Sequence, residues 1–143
     1  MAVAIDAPRA AYLQRALRWA GWAVSLAPVA IVLMSARWKL TNDSWYVSEW
    51  QRIGWAVEAL PTIATLQLVA IALYLIPHTS VLGAVLLTGY MGGAIASYVR
   101  IGEWTPPLVP LTTAVLAWVG IFLREGRLRS VLPFRTGLFR GDS

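Results

Sequence analysis

Formal charge disappears from three stretches of the chain, over 19–36, 59–99 and 107–123, and these stretches set the element count. About 20 mainly apolar residues are needed for one helix to cross a bilayer. The first and third stretches therefore each hold one span. The middle one holds two, divided by Pro77-His78-Thr79-Ser80, a short turn. The pattern predicts an all-α fold: a four-helix transmembrane bundle with spans near 17–38, 60–77, 80–101 and 107–124. Pro106 and Pro107 open the last span, where missing amides cost little. Pro28 lies near the middle of the first span and predicts a kink there.

Between the first and second spans the period changes. Tyr46, Trp50 and Ile53 fall on one helical face within 44–56, which predicts a short amphipathic helix lying in the membrane interface. Trp38, Trp45, Trp50, Trp55 and Trp104 all gather at this end of the bundle, as expected of an aromatic belt. The segment is read in two ways, as an anchor or as a lid over a pocket opening outward.

Composition agrees with a membrane solvent. The 143 residues are 58% hydrophobic and only 13% charged, within the length of a single membrane domain. The absence of cysteine excludes disulfides, thiolate metal sites and cysteine nucleophiles. One histidine and seven acids give little material for a metal centre, and none is expected. The net charge of +5 sits at the two ends, and no nucleic-acid recognition motif accompanies it. With four spans, eight of the twelve Lys and Arg lie on the side of the termini, and Arg37, Lys39, Arg52 and Arg100 on the other. That bias predicts a multi-pass protein with cytoplasmic termini and a basic cytoplasmic tail over 125–143. The first span reads as a retained anchor, since no small-residue cleavage site follows it.

The third span carries Gly89, Gly93 and Ser97 at four-residue intervals, beside Thr88, Gly92 and Ala96. Small residues at this spacing let helices approach closely. Gly89, Gly92, Gly93 and Ser97 therefore predict a packing seam that puts this span at the bundle centre, with a homodimer contact as the alternative.

Polar groups in spans usually face a bundle interior or a cavity. Gln67 is the deepest, and Lys39, Glu58, Tyr98 and Arg100 lie nearer the outer surface. Glu58 and Gln67 are nine positions apart and so on opposite faces of one helix. Glu58 shares its face with Thr62 and Thr65, Gln67 with Tyr74. The candidates for chemistry are Lys39, Glu58, Tyr98 and Arg100; those for ligand contact are Gln67, Tyr98, Arg100 and Trp55. Each also has a plainer reading: Lys39 and Arg100 snorkel to headgroups, Glu58 sits at the water boundary, Gln67 bonds across helices, Tyr98 packs. His78 reads as a turn residue. No nucleophile–base arrangement or phosphate loop is visible.

Leu75-Ile76-Pro77-His78-Thr79, Leu82-Gly83-Ala84 and the run Thr88-Gly89-Tyr90-Met91-Gly92-Gly93-Ala94-Ile95-Ala96 resemble the DoxX-like family of small bacterial membrane proteins. Ser35-Ala36-Arg37-Trp38-Lys39-Leu40 is similar to the end of that family's first helix, with Ala36 in place of glycine. Arg127-Leu128-Arg129, Pro133 and Arg135 resemble its basic tail. The resemblance covers about 16–136 and is densest over 66–102. It implies a four-helix membrane bundle and an association with quinone-linked or sulfur-linked redox assemblies. Lys39 and Arg100 match the family pattern, whereas Gln67 replaces a common glutamate and Tyr98 a common histidine. These departures remove two groups that would exchange protons near neutrality.

The function expected is an accessory subunit of a membrane redox or respiratory assembly, with other subunits or a second copy as partners. The alternatives are a stand-alone membrane enzyme (isomerase, cyclase or quinone reductase) and a structural protein without ligand. No bound cofactor is predicted, and a quinone or a lipid is the ligand class such a bundle would take.

Overall fold

In the computed structural model, which describes residues 6–126 and Leu128, five α-helices and one 3-10 turn make up the regular structure. The helices are α1 (Asp6–Leu40), α2 (Ser44–Arg52), α3 (Leu60–Leu75), α4 (Ser80–Arg100) and α5 (Leu108–Arg124), with the 3-10 turn Val57–Ala59 leading into α3. Helices α1 and α4, and α3 taken together with the 3-10 turn before it (Val57–Leu75), have the length and apolar composition to cross a membrane, whereas α5 stands alone at 17 residues. Large apolar side chains such as Leu26, Leu66, Val69, Leu82, Leu111 and Val115 point outward along these helices. Such a surface is stable only in a nonaqueous surrounding.

Four helices close a ring in the order α1–α3–α4–α5, each touching two neighbours. No one of them is central, so the expectation of a middle position for α4 is corrected. The core lies where the four inner faces meet, at Val32, Ile71, Tyr74, Leu87, Ala117 and Ile121.

The tightest approaches are made by glycines other than the predicted stripe. A Cβ on Gly21 would lie 2.6 Å from the Arg124 amide nitrogen, and one on Gly120 would lie 3.0 Å from the Tyr74 hydroxyl. A Cβ on Gly83 would strike the Tyr74 backbone. At Gly89, Gly92 and Gly93, by contrast, a Cβ would meet nothing within 4 Å. These three are not a packing seam here, because no neighbouring helix crosses that face of α4. Ser97 is buried, but its hydroxyl is occupied by the Gly93 carbonyl at 2.9 Å and by the Trp55 indole.

Helix α1 begins at Asp6, upstream of the residues near 17 where its span is expected to start, and it remains helical through the buried Pro28. Its 35 residues would extend about 50 Å, longer than the hydrocarbon core, so one end projects beyond it. Apart from Glu125, Gly126 and Leu128, the basic tail expected over 125–143 lies outside the described residues.

Helix α2 forms as its period predicts, and Asp43 supplies a cap that the pattern did not single out. Its carboxylate accepts from the backbone N–H of Trp45 at 3.1 Å and of Tyr46 at 3.3 Å, filling amides that a helix start leaves open. Trp50 and Ile53 are buried on the inner face, where they pack with Leu60. The indole N–H of Trp50 donates to the Ala56 carbonyl at 2.9 Å, which fastens α2 to the turn before α3.

Candidate functional site

Lys39 is the last basic residue of α1, and its side chain turns inward to complete burial. The ammonium has three N–H donors, and three acceptors meet it: Ser35 Oγ at 2.6 Å, Gln67 Oε1 at 2.8 Å and the Tyr90 hydroxyl at 2.8 Å. The rings of Tyr46, Tyr90 and Trp50 lie 5.0, 5.5 and 6.0 Å from the nitrogen. Burying an unpaired cation is costly, and an aromatic cage with a full set of hydrogen bonds offsets much of that cost. Among the described residues no carboxylate pairs with it. Gln67 uses its other end to donate to the Val32 carbonyl at 2.8 Å, so one amide ties α3 to α1 and to the cation together.

The same aromatic side chains have a second face. Beneath α2, between α3 and α4, lies a pocket of about 660 Å³. Its floor and walls are apolar (Ile63, Leu66, Val69, Val85 and Leu86) and open onto the outer face of the bundle, where all but Ile63 are exposed, and Trp45, Tyr46, Trp50 and Trp55 from the α2 region form its roof. Gly89 and Gly93 face it, and their missing side chains supply part of its volume. The roof is a continuous aromatic array. Tyr46 stacks on Trp50 at 6.2 Å between centroids, and Trp50 contacts Trp55 at 5.5 Å.

The few polar groups lining the pocket are Tyr46, Glu49, Tyr90, Ser97 and Tyr98. Glu49 is held by Arg52, whose Nη2 is 2.5 Å and Nε 2.8 Å from its two oxygens. Arg52 also binds Glu103 in the loop after α4, so it bridges two carboxylates. This bonding holds the Glu49 carboxyl below its ordinary range, while burial pushes the Tyr46 phenol up. The roof is therefore pinned at its edge by an ionic clasp exposed to water.

The predicted candidates separate into three groups. Tyr98 and Trp55 line the pocket, and the Trp55 indole donates to Ser97 Oγ at 3.0 Å. Lys39 and Gln67 stand behind the wall, linked to the pocket through Tyr90 and Tyr46. Arg100 and Glu58 belong to neither set. Arg100 donates to the Ile53 carbonyl at 2.5 Å and supports the turn after α2, and Glu58 is exposed on the 3-10 turn. Lys39, Glu58, Tyr98 and Arg100 thus do not converge on one reacting point. Four contributors were absent from the sequence reading: Ser35, Glu49, Tyr90 and the Trp50 face toward Lys39. The i, i+4 spacing of Ser35 and Lys39 was the available signal for the first.

Among the described residues no group of three or more His, Cys, Asp or Glu lies together in a metal-holding arrangement. A volume of this size, mostly apolar with a few polar groups in its lining, has the character of a small-molecule site. The chain is thus a multi-pass membrane protein with an intramembrane pocket roofed by aromatic residues. It belongs to the DoxX-like family, whose profile matches residues 23–120. The match ends before the basic tail, so that part of the resemblance lies outside it. No curated protein and no solved structure matches the chain.

Proposed function

We propose that this protein is a ligand-holding accessory subunit of a membrane redox assembly, and that the pocket beneath α2 takes a quinone-class or other flat lipid-soluble molecule. The observation that carries the reading is the pocket itself, about 660 Å³ with aromatic rings above, aliphatic side chains below and a few polar groups among them. A planar ring lies against the aromatic roof at offset-stacking distance, and a carbonyl at its edge finds a hydroxyl donor at Tyr90. Lys39, behind Tyr90, keeps positive charge near that carbonyl without entering the pocket. The link to a redox assembly rests on the family association. The separation of Lys39, Glu58, Tyr98 and Arg100 favours a holding role over chemistry within the chain.

In this reading α5 is the fourth span. Its 17 residues would reach about 25 Å, slightly short of the hydrocarbon thickness, a mismatch that a bilayer absorbs at modest cost. Helix α2 lies at the interface, and both termini face the cytoplasm. Lys39 and Arg124 both turn inward, which leaves seven basic residues on the terminal side against three on the other.

The test is purification in mild detergent followed by mass spectrometry of bound proteins and small molecules, and then titration with a short-chain quinone. Wild type is expected to carry or bind the quinone, and Gly93→Leu, which fills the pocket, to weaken binding at least about tenfold. Equal binding by wild type and Gly93→Leu would remove the pocket from the proposal, and purification free of partner subunits would remove the assembly.

A further inference from the structure

At the opposite end of the bundle lies a second concavity that the pocket reading does not use. Arg15, Arg18, Trp19 and Trp22 line a groove of about 530 Å³ on α1. Their spacing places all four on one face of the helix. Trp22 belongs to this groove and also carries the guanidinium of Arg124, whose carbon sits 4.3 Å from the indole centroid. Arg124 is only 7% exposed. It stacks on Tyr74 at 4.5 Å and donates to the Tyr74 carbonyl, yet its Nε and Nη1 are buried with no hydrogen-bond partner. Unsatisfied donors on a buried cation are costly, and an acceptor would relieve them. Among the described residues none of these three arginines forms an ion pair with a carboxylate. Glu125 acts on Arg124 through space without pairing to it.

We propose that this groove binds the phosphate headgroup of an anionic phospholipid, independently of any ligand in the pocket beneath α2. Guanidinium groups match a phosphodiester by paired N–H donors, which makes arginine the suited side chain for it. The position selects a lipid over free phosphate. The groove opens where the apolar part of α1 begins, and Trp19, 75% exposed, lies at the level preferred by indoles in a membrane. Exposed Leu26, one to two turns further along α1, offers apolar surface for the acyl chains below the headgroup. Basic side chains at a membrane boundary attract anionic headgroups.

The experiment uses the full chain in phosphatidylcholine nanodiscs with phosphatidylglycerol added, and retained lipid is read by native mass spectrometry. Wild type should retain phosphatidylglycerol in preference to phosphatidylcholine. Arg15→Gln/Arg18→Gln should reduce that retention about tenfold with its thermal transition in phosphatidylcholine unchanged, since both side chains are exposed. Equal retention of the two lipids overturns the proposal, as does full retention by the double variant. Inorganic phosphate that competes the lipid away at equal concentration would show a soluble-anion site and overturn it too.

Discussion

Lys39 Nζ lies 2.8 Å from Gln67 Oε1, with both side chains wholly buried. The pair is asymmetric: a cation meets a neutral amide. Removing the amide leaves a buried charge one acceptor short, whereas removing the charge leaves only hydroxyls and an amide that rotate toward one another. Gln67→Leu should therefore cost about 3 kcal/mol of stability and Lys39→Met about half as much. Thermal unfolding in a fixed detergent measures both. If Lys39→Met proves the more damaging, the cation is contributing binding energy that the neutral cage cannot replace, and this account of the pair fails.

The glycines of α4 make two opposite predictions. Gly89 and Gly93 face open pocket, so alanine at either should stabilise the helix by about 0.5–1 kcal/mol through its higher propensity. Gly83 faces the Tyr74 backbone, and alanine there should cost about 1–3 kcal/mol through overpacking. Unfolding midpoints of the three single variants decide the matter. A loss at Gly89 or Gly93 would restore the packing seam that their spacing suggests.

That contrast shows where the sequence was legible and where it was not. Hydropathy placed α3, α4 and α5 within about two residues, because every buried backbone group in a bilayer needs helical bonding and the apolar run sets the helix length. The α1 start escaped because Arg9, Arg15 and Arg18 end the apolar run without ending helix propensity. The small stripe was misread because absent side chains serve two purposes alike, admitting a neighbouring helix or leaving room for a ligand. Between the two readings of Lys39, snorkelling or inward, the sequence does not choose, for a different reason. Whether a lysine at a helix end snorkels or turns inward depends on acceptors from other helices, here Gln67 and Tyr90, which spacing along α1 does not reveal.

The clasp at Arg52 makes the roof sensitive to acid. Glu49 has its folded pKa depressed by the Arg52 hydrogen bonds. Its stabilising contribution is therefore full above the unfolded carboxylate value and is lost as pH falls through the folded one. Attachment of α2 should hold steady from neutrality to about pH 5 and loosen below about pH 4. Both partners are partly solvated, with Arg52 44% and Glu49 24% exposed, so raised salt should weaken the clasp as well. Tryptophan emission from the roof reports the change. Glu49→Gln should be looser at neutral pH and nearly flat across this range, and an unaltered pH profile in that variant would assign the transition to another group.

Arg100 and Gly54 control the other end of the roof. Gly54 adopts φ of +83°, a conformation that side chains rarely accept, and a Cβ there would lie 2.8 Å from Arg100 Nη2. Arg100 meanwhile donates to the Ile53 carbonyl at 2.5 Å, capping the turn that follows α2. Substituting either residue should unseat this turn while leaving the four-helix ring intact, since neither belongs to its core. Gly54→Ala should cost about 1–2 kcal/mol through strain alone. Arg100→Ala removes one charged hydrogen bond at an exposed side chain and should be milder. Both should speed release of a pocket ligand several-fold with little change in its association rate, because the roof holds the ligand after it has entered. Stopped-flow release of a fluorescent quinone analogue tests this. A slower association with unchanged release in Arg100→Ala would mean that the arginine guides entry, and the supporting role assigned to it would be wrong.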